Sequence, residues 1–143
     1  MTLSLTFENL TEPELARLAE EAAFLVAPAD IITLNGDLGA GKTTFARALI
    51  RAAVANSAVE VPSPTFTLVQ SYDTARFTIA HFDLYRLNAP DEVEELGLEA
   101  AIGRGIALIE WPERGYGRIP RSTFDVTFAE PADDVQRTIT LTA

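Results

Sequence analysis

Between a short apolar, β-branched run, Ile31-Ile32-Thr33-Leu34-Asn35, and a stretch with helical apolar spacing, Phe45 to Val54, the sequence places Gly36-Asp37-Leu38-Gly39-Ala40-Gly41-Lys42-Thr43-Thr44. Strand, glycine-rich loop and helix in that order constrain the chain more than any other feature, because the loop satisfies G-x-x-x-x-G-K-[ST] at every required position. The glycines let backbone N–H groups wrap a polyphosphate, and the helix that follows aims its positive end at the same anion. Lys42 then reaches the β and γ phosphates, and the Thr43 hydroxyl is placed to ligate a bridging Mg²⁺. An ordinary glycine-rich turn is the competing explanation. Against it, Lys42 is the only lysine among eleven Lys and Arg residues, so a composition that avoids lysine still puts one here.

The length of 143 residues and the 48% hydrophobic content suit one domain over 1–143 with a real core. No apolar stretch approaches the ~18 residues of a membrane span, and the N-terminus lacks a basic region followed by an apolar one. The expectation is a soluble, cytoplasmic protein with no membrane association. The absence of cysteine excludes disulfides, thiolate metal sites and cysteine nucleophiles. A formal net charge of −10 repels a phosphate backbone, so contact with tRNA or other nucleic acid is expected only indirectly, through a protein partner.

Taken in order, Leu3 to Phe7 alternates as a half-buried strand near a sheet edge does. Thr11 with Glu14 starts a helix whose stripe is Leu15, Leu18, Ala19, Ala22, Ala23 and Val26, ending at Pro28. The phosphate-loop strand and a helix over 42–55 follow. Pro62 and Pro64 hold Val61 to Phe66 as a stiff extended loop. Phe66 to Tyr72 and Arg76 to Asp83 are strand-like and joined too tightly for anything but an antiparallel hairpin. Asp91 to Leu98 reads as an acidic helix, Ile106 to Ile109 as a buried parallel strand ending at Glu110, and Thr123 to Phe128 with Thr138 to Leu141 as an antiparallel pair. The fold class is therefore α/β, with a central mixed sheet whose parallel core carries antiparallel flanking strands and is covered by helices.

A phosphate loop needs carboxylates opposite it, because Mg²⁺ takes oxygen ligands and an attacking water must be oriented. Asp83 and Glu110, each following an apolar strand, are the two candidates. Thr65 and Ser63 sit in the stiff loop where nucleotide switch proteins carry a hydroxyl sensitive to the γ-phosphate. His81, the sole histidine, reads as a hydrogen-bonded, semi-buried side chain rather than a catalytic base. Trp111 is either core or an aromatic beside the nucleotide, and Glu92, Glu94, Glu95 and Glu99 form a solvated helix face or a docking surface.

Together the loop Gly36 to Thr44, Pro62-Ser63-Pro64-Thr65-Phe66-Thr67-Leu68, His81-Phe82-Asp83-Leu84-Tyr85-Arg86-Leu87 and Glu110-Trp111-Pro112-Glu113 resemble the small bacterial P-loop ATPases of tRNA N6-threonylcarbamoyladenosine synthesis. The resemblance spans about Thr11 to Leu141. It implies a P-loop fold and slow ATP hydrolysis, dependent on and coupled to partner proteins that modify position 37 of tRNA, with the chain monomeric on its own. By residue, it implies nucleotide contact along Gly36, Asp37, Leu38, Gly39, Ala40, Gly41, Lys42, Thr43 and Thr44, with Thr11 and Arg137 near the base or ribose. Thr43 and Glu110 would hold Mg²⁺, Asp83 is the Walker-type acid, and Thr65 lies in the switch-like loop. Two other readings fit a P-loop: a small-molecule kinase, for which no Arg-rich lid is evident, and a nucleotide-sensing adaptor without significant turnover.

Overall fold

The computed structural model describes residues 3–130 and 136–143. β2 (Ile31–Asn35) lies at the centre of a seven-stranded sheet, paired in parallel with β5 (Gly105–Glu110) on one side and with β6 (Phe124–Phe128) on the other. β4 (Thr78–Asp83) continues the parallel core beside β5, and β3 (Val69–Asp73) closes that edge antiparallel to it. At the other edge β7 (Arg137–Thr142) and β1 (Ser4–Leu10) are antiparallel. The order is β1-β7-β6-β2-β5-β4-β3, the mixed sheet expected from the pattern of buried and alternating strands.

Helices cover both faces, and that explains why the central strands are apolar without alternation. From β5, Ile106 and Leu108 enter a core beneath α1 (Glu12–Leu25) and α2 (Lys42–Val54), where Leu15, Phe45, Leu49 and Ile50 meet Leu34 and Val126. Ala107 and Ile109 enter a second core, against Val93 of α3 (Pro90–Glu95) and Leu98 and Ala101 of α4 (Leu98–Arg104). Each fully buried Leu, Ile or Phe contributes about 1.5–3 kcal/mol relative to an exposed one, so the two cores fix β5 from both sides. The strand is thereby a rigid mount for whatever follows Ile109.

α1 begins as its sequence predicts. The Thr11 side chain accepts from the Glu14 N–H at 3.3 Å and Glu14 Oε1 accepts from the Thr11 N–H at 3.0 Å, the reciprocal cap that satisfies two orphan donors. Leu15, Ala19, Ala23 and Val26 are buried, while Leu18 and Ala22 pack half-buried beside them.

Four expectations are corrected by tertiary context. The acidic stretch is not one helix over 91–98: α3 stops at Glu95, Gly97 takes a left-handed φ of +75°, and α4 starts at Leu98. The break turns Val93 and Leu98 into the same core, which a continuous helix, at 100° per residue, would splay apart. The hairpin strands begin later than expected: β3 at Val69, because Leu68 has φ +69° and its N–H closes a turn on the Pro64 carbonyl at 2.7 Å, and β4 at Thr78, because the Thr74 N–H and hydroxyl close a turn on the Phe77 carbonyl at 2.9 and 2.7 Å. β1 runs on to Leu10 through a bulge after Phe7, and Leu3 and Leu5 stay exposed at the sheet edge rather than half-buried. His81 is completely buried, not semi-buried. Among the described residues no helix is long and apolar enough to cross a membrane.

Candidate functional site

The parallel core directs the C-terminal ends of β2, β4 and β5 to one edge, which is where open α/β sheets bind ligands. Register makes this concrete: Leu34 on β2 and Asp83 on β4 both pair with Glu110 on β5. The loop leaving β2 and the two acids therefore share one end of the sheet.

They surround a cleft of about 240 Å³, lined by Leu38, Gly39, Gly41, Lys42, Thr43 and Thr44 from the loop and α2, Ser63 and Thr65 from the proline-braced segment, Asp83, Glu110 and Trp111 from the strand ends, Glu12 and Leu15 from α1, and Arg137 from β7. The loop geometry depends on glycine where it enters α2. Gly41 has φ +109°, and a Cβ there, strained in that region, would also stand 3.3 Å from Leu15 Cδ2. Gly36, Asp37 and Ala40 support the loop without lining the cleft: Asp37 O accepts from Ala40 N at 3.1 Å, and Ala40 is buried.

Lys42 is buried. Its Nζ donates to the Gly36 carbonyl and lies 3.4 Å from the centre of the Trp111 ring, which in turn rests on Tyr85 at 4.8 Å. Burial pushes the Lys42 ammonium below its usual value of 10.5, opposed by the negative charge of Glu110, Glu113, Asp83 and Asp37. The loop thus holds a desolvated cation facing acids, ready for an anion that would restore its preference for charge.

Both acids are buried and hydrogen-bonded. Glu110 accepts from Thr43 Oγ1 at 3.1 Å (Oε1) and 3.3 Å (Oε2), and its Oε2 lies 2.6 Å from His81 Nε2. Asp83 accepts from Thr65 Oγ1 at 3.2 Å and from the Tyr85 N–H at 3.0 Å. Thr65 Oγ1 is in turn 2.7 Å from Ser63 Oγ. Hydroxyl and carboxylate oxygens converging from Thr43 and Glu110 suit a hard cation such as Mg²⁺, which takes oxygen ligands and completes its octahedron with water and phosphate.

Of the two outer positions, Arg137 lines the cleft and its Nη2 donates to the Gly39 carbonyl at 3.2 Å. Thr11 does not line it: its hydroxyl serves the α1 cap, and its neighbour Glu12 faces the cleft instead. Sequence reasoning missed Glu12 and Leu15. Leu15 carries no signal besides its place in the apolar stripe, whereas Glu12 follows the helix start directly, where a side chain points past the end of the helix. The acidic residues of α3 and α4 lie away from the cleft, and Glu94 pairs with Arg118 on the surface.

A parallel-cored sheet with a glycine loop between its central strand and a helix, and acids at the ends of the two strands beyond, is a P-loop fold. The chain matches the family model described as threonylcarbamoyl adenosine biosynthesis protein TsaE over residues 10–139. It belongs to that family. Proteins named tRNA threonylcarbamoyladenosine biosynthesis protein TsaE are similar to it in Rickettsia bellii, 42% identical over 87% of this chain and 85% of the relative, and in Bacillus subtilis, 34% identical over 97% and 85%. The Rickettsia felis relative is 49% identical over 71% of this chain, and the match spans 59% of that relative's length. The crystal structure of Bacillus subtilis YdiB superposes with a TM-score of 0.79 at 29% identity, covering 100% of this chain and 87% of that one.

Proposed function

We propose that the chain is the ATP-binding and slowly hydrolysing subunit of the machinery that makes N6-threonylcarbamoyladenosine at position 37 of tRNA, and that its nucleotide state sets its docking to the proteins that carry out the modification. The observation that carries this reading is the convergence of Lys42, Thr43, Thr65, Asp83 and Glu110 on one cleft in a chain of this family. Bound Mg²⁺ would supply charge neutralisation at the β and γ phosphates. The loop N–H groups bind the phosphates, and Lys42 exchanges the Gly36 carbonyl for phosphate oxygens. Thr43 and Glu110 would hold the metal. Thr65 from the switch-like loop and Asp83 from the end of β4 face the same cleft and orient the attacking water. The surplus of acidic residues keeps the chain off the tRNA itself, so its partners are proteins.

Calorimetry with ATP and Mg²⁺, read beside Trp111 emission, tests the binding. Trp111 is the sole tryptophan and carries Lys42 on its ring, so nucleotide binding is expected to change its emission. Turnover is then measured with and without the threonylcarbamoyl-transfer proteins. Turnover and complex formation that are both indifferent to those proteins would sink the reading.

The two acids separate in a further measurement. Asp83→Asn is expected to lower turnover about 100-fold or more while leaving MgATP affinity within about 3-fold, since its contribution is made mainly at the transition state. Glu110→Gln weakens Mg²⁺-dependent binding and turnover together. Identical profiles for the two variants would refute the division of labour.

A further inference from the structure

His81 is fully buried on β4, two residues before Asp83, opposite Leu108 of β5. Because side chains alternate along a strand, His81 and Asp83 share a face, as do Leu108 and Glu110. From there the imidazole reaches one step forward across the pair, and its Nε2 stands 2.6 Å from Glu110 Oε2. His81 does not line the cleft. Its Nδ1 is buried and has no hydrogen-bond partner among the described residues.

Those two nitrogens define the proton's position. A carboxylate only accepts, so Nε2 carries the hydrogen, and a proton on Nδ1 would be a buried donor with no acceptor, which costs roughly 1–3 kcal/mol or more. Nε2–H is therefore the donor that meets Glu110. Its effect falls on a torsion that is otherwise soft, because the last torsion of a glutamate is broad and nearly two-fold. A donor fixed in the core selects one setting of the carboxylate plane. It engages Oε2 and leaves Oε1 with the closer contact to Thr43, 3.1 Å against 3.3 Å.

We propose that His81 is a positioning residue: its Nε2–H sets the plane of the Glu110 carboxylate and thereby the site's affinity for the Mg²⁺–nucleotide complex, without touching either ligand. This rests on the nucleotide reading above. Partners one step behind a metal ligand are typically worth 10–100-fold in metal affinity.

The test compares His81→Phe, which keeps a ring and removes the donor, with His81→Gln, whose amide nitrogen can replace Nε2–H. ADP affinity is measured for both and for the unaltered chain, with Mg²⁺ and with EDTA, alongside thermal unfolding without nucleotide. The expected result is that His81→Phe loses about 10-fold or more of the affinity gained with Mg²⁺, keeps its affinity in EDTA, and is largely rescued in His81→Gln. A His81→Phe variant that keeps the full Mg²⁺ gain, or loses affinity equally with and without the metal, overturns the proposal while the nucleotide site stands. An unaltered chain that binds no nucleotide overturns both. Should His81→Phe fail to fold, ¹⁵N NMR of the unaltered chain decides: the Nε2–H tautomer supports the proposal and an Nδ1–H tautomer overturns it.

Discussion

Lys42→Ala is expected to lower ATP turnover at least about 100-fold, the loss typical of removing one preorganised group from a developing anion, and to weaken nucleotide binding, with the fold intact. The basis is the position of Nζ, buried between the Gly36 carbonyl and the Trp111 ring and surrounded by acids. Alanine removes a cation whose charged form the folded chain disfavours, so thermal unfolding without nucleotide should not drop. Trp111 emission should lose its response to nucleotide at the same time, since no ammonium remains to leave the ring. The pH dependence has a definite sign. Lys42 releases its proton below the usual 10.5, and a bound phosphate favours the protonated form. As pH rises through the lowered value, nucleotide binding therefore takes up a proton, and affinity falls. Lys42→Ala should lack that alkaline fall. Turnover in the variant within a few-fold of the unaltered chain would remove the phosphate loop from the mechanism.

The largest expected effect on stability is at Gly105, remote from the cleft. β5 starts there beside β4, with Thr78 directly opposite, and a Cβ on Gly105 would stand 1.9 Å from the Thr78 carbonyl oxygen and 2.7 Å from its nitrogen. Those atoms are backbone at the first pair of the parallel β4–β5 ladder and cannot swing aside as a side chain could. Gly105→Ala must push β4 and β5 apart, and we expect a loss of at least about 3 kcal/mol, a large part of the roughly 5–15 kcal/mol that stabilises a domain. That corresponds to about 6–12 °C in the melting temperature for a chain of this size. Denaturant unfolding of the variant checks the figure, and a midpoint unchanged within error would contradict the geometry. Gly103, two residues earlier in α4, has nothing within 4 Å of an added Cβ, and the same substitution there serves as the control.

What could be read from the sequence was set by local chemistry. The loop from Gly36 to Thr44, the Thr11 to Glu14 cap, the proline-braced segment and the apolar run ending at Glu110 each state their structure in a few neighbouring residues, through permitted φ values, a missing N–H or a period of burial. The helix break at Gly97 was also written locally, but a helical pattern can tolerate one glycine, and only the need to bring Val93 and Leu98 to one core decides against continuity. Other features have no local form. That Leu34, Asp83 and Glu110 stand side by side follows from strand order and register, which depend on which faces the helices cover. Lys42 meets Trp111, and His81 meets Glu110, across 69 and 29 positions of the chain, and no spacing rule encodes such pairs. The sequence by itself determined that a glycine-rich loop of the P-loop pattern and two strand-end acids exist. The tertiary structure alone decided that the acids are buried, which hydroxyl each one holds, and that a core histidine restrains one of them, because burial and hydrogen-bond partners belong to the packed arrangement and not to the order of residues.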